Sequence, residues 1–293
     1  MSNIKKYLGL VTLCVVWGST WVGIKISLEG FPPFMSASVR FVVGIIALLV
    51  YIKWKRISLK ISKREFWILL ATAFLVYVLD YGLIYWGEQY LSAGVTSIFF
   101  ATFAIFTALM SNFVFKNEAF NWPKFMGTLL GFSGILIVFY DQLAITQYNL
   151  KVVLASLAIL IAALAAAMSL VMVKKFLPRI NTVVLSFHQL AMGTVFLLLL
   201  SFGTEMPFHL HVNIRVMTAI VLMGILASAL AFVLYYQLLQ QMSAISLAFI
   251  IYVTPIVALL EDYLFFGEIL SLRSFVGMFV IFSGIWLSQY KKK

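Results

Sequence analysis

Charged residues are scarce in this chain of 293 residues. Only 11% of the residues are Asp, Glu, Lys or Arg, and 63% are hydrophobic, whereas soluble domains carry roughly 25% charged residues. Apolar runs of about 20 residues, the length of a helix that crosses a bilayer, recur from end to end. The composition excludes a soluble globular protein. It predicts an integral membrane protein made of helices, because backbone groups in lipid need internal hydrogen bonds.

Sequence signatures of catalysis are also missing. The chain contains no HExxH motif, no GxSxG motif and no phosphate-binding glycine loop, so nothing predicts an enzyme or hydrolysis of ATP. Its single cysteine, Cys14, excludes an intrachain disulfide. No cluster of residues predicts a cofactor or a metal centre.

Ten apolar segments are predicted to cross the membrane. They lie near residues 7–27, 33–52, 66–86, 92–115, 123–141, 150–173, 181–201, 215–239, 244–266 and 272–290.

The formal charge of +11 comes from basic residues that fall mostly on one side of these spans. With the N-terminus in the cytoplasm, the outer segments hold only Lys151, Arg215 and Arg273 among the basic residues. Lysine and arginine accumulate in cytoplasmic loops. We therefore expect a cytoplasmic-membrane protein with both termini in the cytoplasm. The positive charge gives no reason to expect a nucleic-acid partner.

Part of the chain is repeated. Residues 113–135 resemble residues 263–285, at a constant offset of 150 positions, and both stretches end in FSGI. Each copy holds an odd number of spans, so the second copy enters the membrane from the opposite side. The sequence therefore predicts two inverted five-helix repeats, at 1–145 and 146–293.

Four stretches resemble the EamA-type branch of the drug/metabolite transporter superfamily. They are WGSTWVGIK at 17–25, FPPFMSASVRF at 31–41, YWGEQYLSAGVTSIFFAT at 85–102, and YVTPIVALL followed by FFGE within 252–268. The resemblance implies ten helices in two inverted repeats. For bacterial members, it implies export of amino acids, related metabolites or drug-like compounds.

Two ionisable residues of the first repeat lie at membrane depth. A lone charge there costs about 2.5–3.5 kcal/mol on insertion scales, so Arg40 and Asp80 should each find a partner. Either they form a structural ion pair, or Arg40 receives a substrate carboxylate and Asp80 a substrate ammonium group or a proton.

Aromatic residues near Asp80 predict the wall of a cavity. Tyr77 and Tyr81 follow the spacing of one helix face, and Trp17 lies too deep to be an interfacial anchor. Trp17 therefore either packs between helices or lines the cavity. Glu88, near the outer mouth, is either a gate or proton-coupling site or an exposed loop residue.

The second repeat offers four further candidates. His188 is either a packing residue or a second proton site, since imidazole titrates near neutral pH. Tyr252, Pro255 and Asp262 fit a moving wall in which proline kinks the helix. In the alternative, Pro255 only bends the helix and Asp262 reaches the outer water.

These observations together predict a secondary transporter. We expect a monomer that exports small metabolites, such as neutral or aromatic amino acids, by alternating access and with proton coupling. One alternative is a proton-coupled exporter of cationic drug-like compounds. A second is a membrane receptor or scaffold that binds a ligand without moving it.

Overall fold

The computed structural model describes residues 3–115, 122–138, 140, 149–257 and 272–289. Ten helices are present in these residues, and seven of them are long and apolar enough to cross a membrane. The predicted all-helical membrane class is confirmed. The helices are α1 Ile4–Leu28, α2 Pro33–Lys55, α3 Lys63–Gly87, α4 Ala93–Val114, α5 Trp122–Val138, α6 Leu150–Phe176, α7 Thr182–Thr204, α8 Ile214–Leu239, α9 Ala244–Val257 and α10 Leu272–Gln289.

Helices α5 and α10, the fifth helices of the two repeats, pack against each other through glycines. A Cβ atom added at Gly127 would lie 2.5 Å from the carbonyl oxygen of Gly284, and one added at Gly134 would lie 2.8 Å from that of Gly277. Gly127 corresponds to Gly277 in the duplicated sequence, and Gly134 to Gly284. Gly127 therefore meets the counterpart of Gly134, and Gly134 meets the counterpart of Gly127. This reciprocal contact is expected for two inverted copies.

Serine side chains cap the N-termini of equivalent helices in the two repeats. The Ser92 hydroxyl accepts a hydrogen bond from the Val95 N–H (3.2 Å) at the start of α4. The Ser243 hydroxyl accepts one from the Ser246 N–H (3.0 Å) at the start of α9. Serine satisfies backbone donors that have no partner within the helix.

The third helix of each repeat contains a π-helical segment. In α3 it covers Phe74–Gly82, and in α8 it covers Met223–Leu230. π-Helical turns are rare and are frequently found at functional sites. Their appearance at matching places in both repeats indicates that this irregularity belongs to the architecture.

Helix α6 explains why the second repeat departs from the first in sequence. Its alanine-rich stretch is largely buried, with Ala162, Ala163 and Ala167 at 0% exposure, and it packs against α3 and α4. Small residues allow close approach of helices in a membrane. The end of the bundle at which α3 begins and α6 ends is called the inner end, because the predicted orientation places it at the cytoplasmic face.

Candidate functional site

A cavity of about 100 Å³ lies between α1, α3, α4, α6, α8 and α9. We call it the central cavity. Both repeats contribute to its wall, and Asp80 is the only charged residue among the described residues that line it. Eight lining residues are aromatic: Trp17, Trp21, Tyr81, Phe100, Phe103, Phe232, Tyr235 and Tyr236.

Asp80 lies in the π-helical segment of α3. Its side chain is 6% exposed, and its Oδ1 atom has no hydrogen-bond partner in the protein. A buried carboxylate oxygen without a partner is costly, so such a group marks a place where a ligand, a proton or water completes the site.

Arg40 has a structural position behind this wall. Its side chain is fully buried, Nε donates to the Ser228 hydroxyl (2.9 Å), and Nη1 donates to the Tyr85 hydroxyl (3.3 Å). Its guanidinium carbon lies 5.1 Å from the centre of the Tyr81 ring, and it does not line the central cavity. Arg40 therefore joins α2 to α3 and α8 and lies behind Tyr81, which lines the cavity.

The hypothesis of an Arg40–Asp80 ion pair is not supported by this geometry. Arg40 uses Ser228 and Tyr85 as partners, and neither Nη2 of Arg40 nor Oδ1 of Asp80 has a hydrogen bond. The two side chains therefore do not satisfy each other.

The predicted aromatic wall divides into two parts. Tyr81 lines the central cavity, but Tyr77 is fully buried behind it, with its ring centre 4.9 Å from that of Phe41 and 6.0 Å from that of Tyr81. Trp17 lines the cavity, and its indole Nε1 donates to the Ala227 carbonyl (3.2 Å) in the π-helical segment of α8. Trp17 thus combines the two roles that the sequence left open.

Glu88 is a buried residue, not an exposed loop residue. Its side chain has 0% exposure, and neither carboxylate oxygen has a hydrogen-bond partner. The Lys25 ammonium group lies near it but donates to backbone carbonyls, those of Glu88 (2.6 Å) and Leu91 (2.8 Å). Lys25 therefore satisfies the end of α3, as cations do at helix C-termini.

Three candidates of the second repeat, His188, Tyr252 and Pro255, belong to the described residues and do not line the central cavity. His188 is half-buried, and its Nδ1 lies 2.9 Å from the Val184 carbonyl. Tyr252 is fully buried, and its hydroxyl donates to the Thr128 carbonyl (3.1 Å), which ties α9 to α5. Pro255 is buried within α9.

Asp262 lies outside the described residues. No group of three His, Cys, Asp or Glu side chains that could hold a metal ion occurs among the residues that the structure describes.

Several lining residues were missed by the sequence analysis. Phe232, Tyr235 and Tyr236 lie on α8, the counterpart of α3, and Trp21 lies one turn beyond Trp17 on α1. The spacing of the three α8 aromatics, with steps of three and four, is the signal that identified the α3 wall. These three aromatic residues could have been predicted by treating α8 as the equivalent of α3 in the second repeat.

Comparisons with known proteins agree with this architecture. The sequence model of the EamA-like transporter family matches residues 4–140 and 153–290. The chain is 26% identical to the uncharacterized transporter YoaV of Bacillus subtilis, over 98% of this chain and 97% of that protein. It is 25% identical to a probable terminal-alkyne amino-acid exporter of Streptantibioticus cattleyicolor, over 98% of this chain and 94% of the relative.

A solved crystal structure shares the fold. It has a TM-score of 0.83 and 16% sequence identity, and the match covers 98% of this chain and 97% of that one.

Proposed function

Because the chain belongs to the EamA-like transporter family, we propose that it exports small molecules that carry an ammonium group on an apolar or aromatic body. Neutral and aromatic amino acids are the substrate class that we propose first. One observation carries the proposal: Asp80 is the only charged residue in the described lining of a cavity with eight aromatic residues.

The chemistry of this wall suits an organic cation. A carboxylate attracts an ammonium group, and aromatic faces within about 6 Å add an attraction of roughly 2 kcal/mol when the cation is desolvated. The apolar body of the substrate would pack against the remaining rings. An amino-acid carboxylate would meet neutral groups such as Thr20, Tyr235 and Thr254, because Arg40 is behind Tyr81.

The relative from Streptantibioticus cattleyicolor supports amino acids as the substrate class, since its name gives it as a probable amino-acid exporter. Movement by alternating access follows from inverted repeats, whose two copies can exchange conformations around a site between them. We propose that a monomer in the cytoplasmic membrane, with both termini in the cytoplasm, carries out this cycle.

Glu88 is our proposed site of proton coupling. An ionised carboxylate without partners in a buried place carries a desolvation penalty that a bound proton removes. The charged or titratable groups around it are Lys25, Arg40 and Tyr85. His188 is a weaker candidate, since its imidazole contacts the backbone of its own helix, whereas both carboxylate oxygens of Glu88 lack a hydrogen-bond partner.

A second candidate function is the export of cationic drug-like compounds. It is favoured by the absence of any cationic side chain among the described lining residues of the central cavity. A substrate without a carboxylate would need no counter-charge there.

Counterflow in proteoliposomes tests both candidates with one pair of molecules. Phenylalanine and phenethylamine share the aromatic body and the ammonium group and differ by the carboxylate. Saturable counterflow of phenylalanine is the expected result. Counterflow of phenethylamine alone would favour the second candidate, and binding of either without movement across the sealed membrane would indicate a receptor.

Asp80→Asn tests the role of the carboxylate. A charge-assisted hydrogen bond contributes about 1.5–3 kcal/mol, so we expect kcat/KM to fall roughly 10- to 100-fold. Glu29→Gln is the matched control, since Glu29 is an exposed residue paired with Arg215 (3.3 Å) and should transport normally. Wild-type transport by folded Asp80→Asn protein would refute the proposed site.

A further inference from the structure

A second cavity lies at the inner end of the bundle. It measures about 90 Å³, and its wall includes Val173, Lys174, Leu185, Tyr236 and Gln240. We call it the inner cavity. Tyr236 also lines the central cavity, so one aromatic side chain belongs to the walls of both spaces.

The hydroxyl of Tyr236 is fixed by a buried chain of hydrogen bonds. It donates to Oε1 of Gln189 (2.5 Å), and Nε2 of Gln189 donates to Oγ1 of Thr72 (2.6 Å). Thr72 and Gln189 have 0% exposure and Tyr236 has 3%. The chain links α8 and α7 of the second repeat to α3 of the first.

The first repeat contains a related arrangement at the opposite end. Arg40 and Gln189 are each the eighth residue of their helices, α2 and α7. Tyr85 and Tyr236 each precede the N-cap serine of the next helix by seven residues. Arg40 bonds Tyr85 and a serine of α8, just as Gln189 bonds Tyr236 and a threonine of α3.

We propose that Tyr236 is the inner gate between the two cavities and that Gln189 and Thr72 hold it closed. This inference rests on the proposed function, since a gate of this kind serves alternating access. A substrate that enters from the cytoplasm through the inner cavity must displace the Tyr236 ring to reach Asp80. Gln189 and Thr72 are positioning residues, because they act through Tyr236 and line neither cavity.

Cysteine accessibility tests the gate without any knowledge of the substrate. Cys14 is the sole cysteine, so a Cys14→Ala background with Ala166→Cys places one reporter thiol in the wall of the central cavity. A membrane-impermeant maleimide is applied to the inner face in inside-out vesicles. Labelling then reports the population in which the path from the inner cavity is open.

Loss of the hydrogen bonds should raise that population. We expect Tyr236→Phe and Gln189→Leu each to accelerate inner-face labelling about fivefold and to leave outer-face labelling unaccelerated. Tyr235→Phe is the matched control: Tyr235 is adjacent and lines only the central cavity, so labelling should stay at the background rate. Thr72→Val is the third variant, which should act in the same direction.

Unchanged inner-face labelling in folded Tyr236→Phe, Gln189→Leu and Thr72→Val proteins would overturn the gate. An equal acceleration in Tyr235→Phe would also overturn it, because the effect would then come from any lost hydroxyl in the cavity. The readout needs no substrate. Failure of amino-acid counterflow would therefore refute the substrate class and leave the labelling result standing, and the converse also holds.

Discussion

Gly127→Ala gives the sharpest test of the packing between α5 and α10. The added Cβ would lie 2.5 Å from the Gly284 carbonyl oxygen and 2.8 Å from the Ser288 N atom. Both are backbone atoms, so no side chain can rotate away. Ordinary contacts of a Cβ begin at 3.4 Å, so the helices must separate locally by roughly 1 Å.

Overpacking of this kind costs about 1–3 kcal/mol of stability. Close approach is the main source of attraction between helices in lipid, since the hydrophobic effect does not distinguish a neighbouring helix from acyl chains. Gly284→Ala meets the Gly127 carbonyl oxygen at 2.6 Å and should have a similar effect. The double variant should lose less than the sum of the two, because the helices separate only once.

The assay is the free energy of unfolding in mixed micelles. Gly203→Ala is the matched control, since a Cβ at Gly203 meets no atom within 4 Å; it should be neutral or stabilise the protein by up to about 1 kcal/mol. Equal stabilities for Gly127→Ala and Gly203→Ala would refute the close contact. Strict additivity in the double variant would refute a shared helix separation.

The remaining predictions concern Glu88 and Arg40, two buried ionisable residues of the outer half. Glu88→Gln should abolish the dependence of substrate accumulation on an imposed pH gradient and spare counterflow, because the amide cannot exchange a proton; full gradient-driven accumulation by the variant would eliminate Glu88 as the coupling site. Arg40→Lys removes the fixed geometry that reaches Ser228 and Tyr85, so we expect a loss of about 2–3 kcal/mol in unfolding free energy with little change in KM. A tenfold rise in KM at unchanged stability would instead mean that Arg40 contacts the substrate.

Hydropathy and duplication were sufficient to predict the architecture. The ten helices follow from apolar length, and the inverted arrangement follows from an odd number of spans per copy. The glycines that the duplication aligned, such as Gly127 and Gly277, became contacts between the two copies. The prediction rested on composition, because each helix must be apolar along its own length to cross the membrane.

The wall of the site was predicted only in part, and the packing of α7 against α3 is the reason. Steps of three and four residues placed Tyr77 on the same face as Asp80 and Tyr81. The two tyrosine rings do share Phe41 as a neighbour, but α7 packs closely against Tyr77 at Gly193, so Tyr81 lines the cavity and Tyr77 does not. Nothing in the hydrophobic period of α3 reveals which of its residues α7 covers.

The partners of Arg40 were beyond sequence reasoning for a different reason. Ser228 is 188 positions away in the chain, and no local pattern marks it as a partner. Burial depth indicated that Arg40 needs partners, but only the packing of α2 against α3 and α8 identifies them. For the same reason, the sequence favoured the ionisable residue His188 as a site candidate. The structure shows that the imidazole of His188 contacts the backbone of its own helix, whereas its neutral neighbour Gln189 forms hydrogen bonds to other helices.

The two related polar clusters occupy equivalent positions in the two repeats, but the free energy needed to break them differs. The inner cluster, Thr72–Gln189–Tyr236, is neutral, and each of its hydrogen bonds has a modest net value that thermal motion can overcome. The outer cluster, Ser228–Arg40–Tyr85, has Arg40 where the inner cluster has Gln189. Breaking the hydrogen bonds of Arg40 would leave a buried charge without partners, which costs much more free energy. The substitution of one residue type at equivalent positions therefore makes the inner contact the easier to break, which fits the proposed loading of substrate from the cytoplasm.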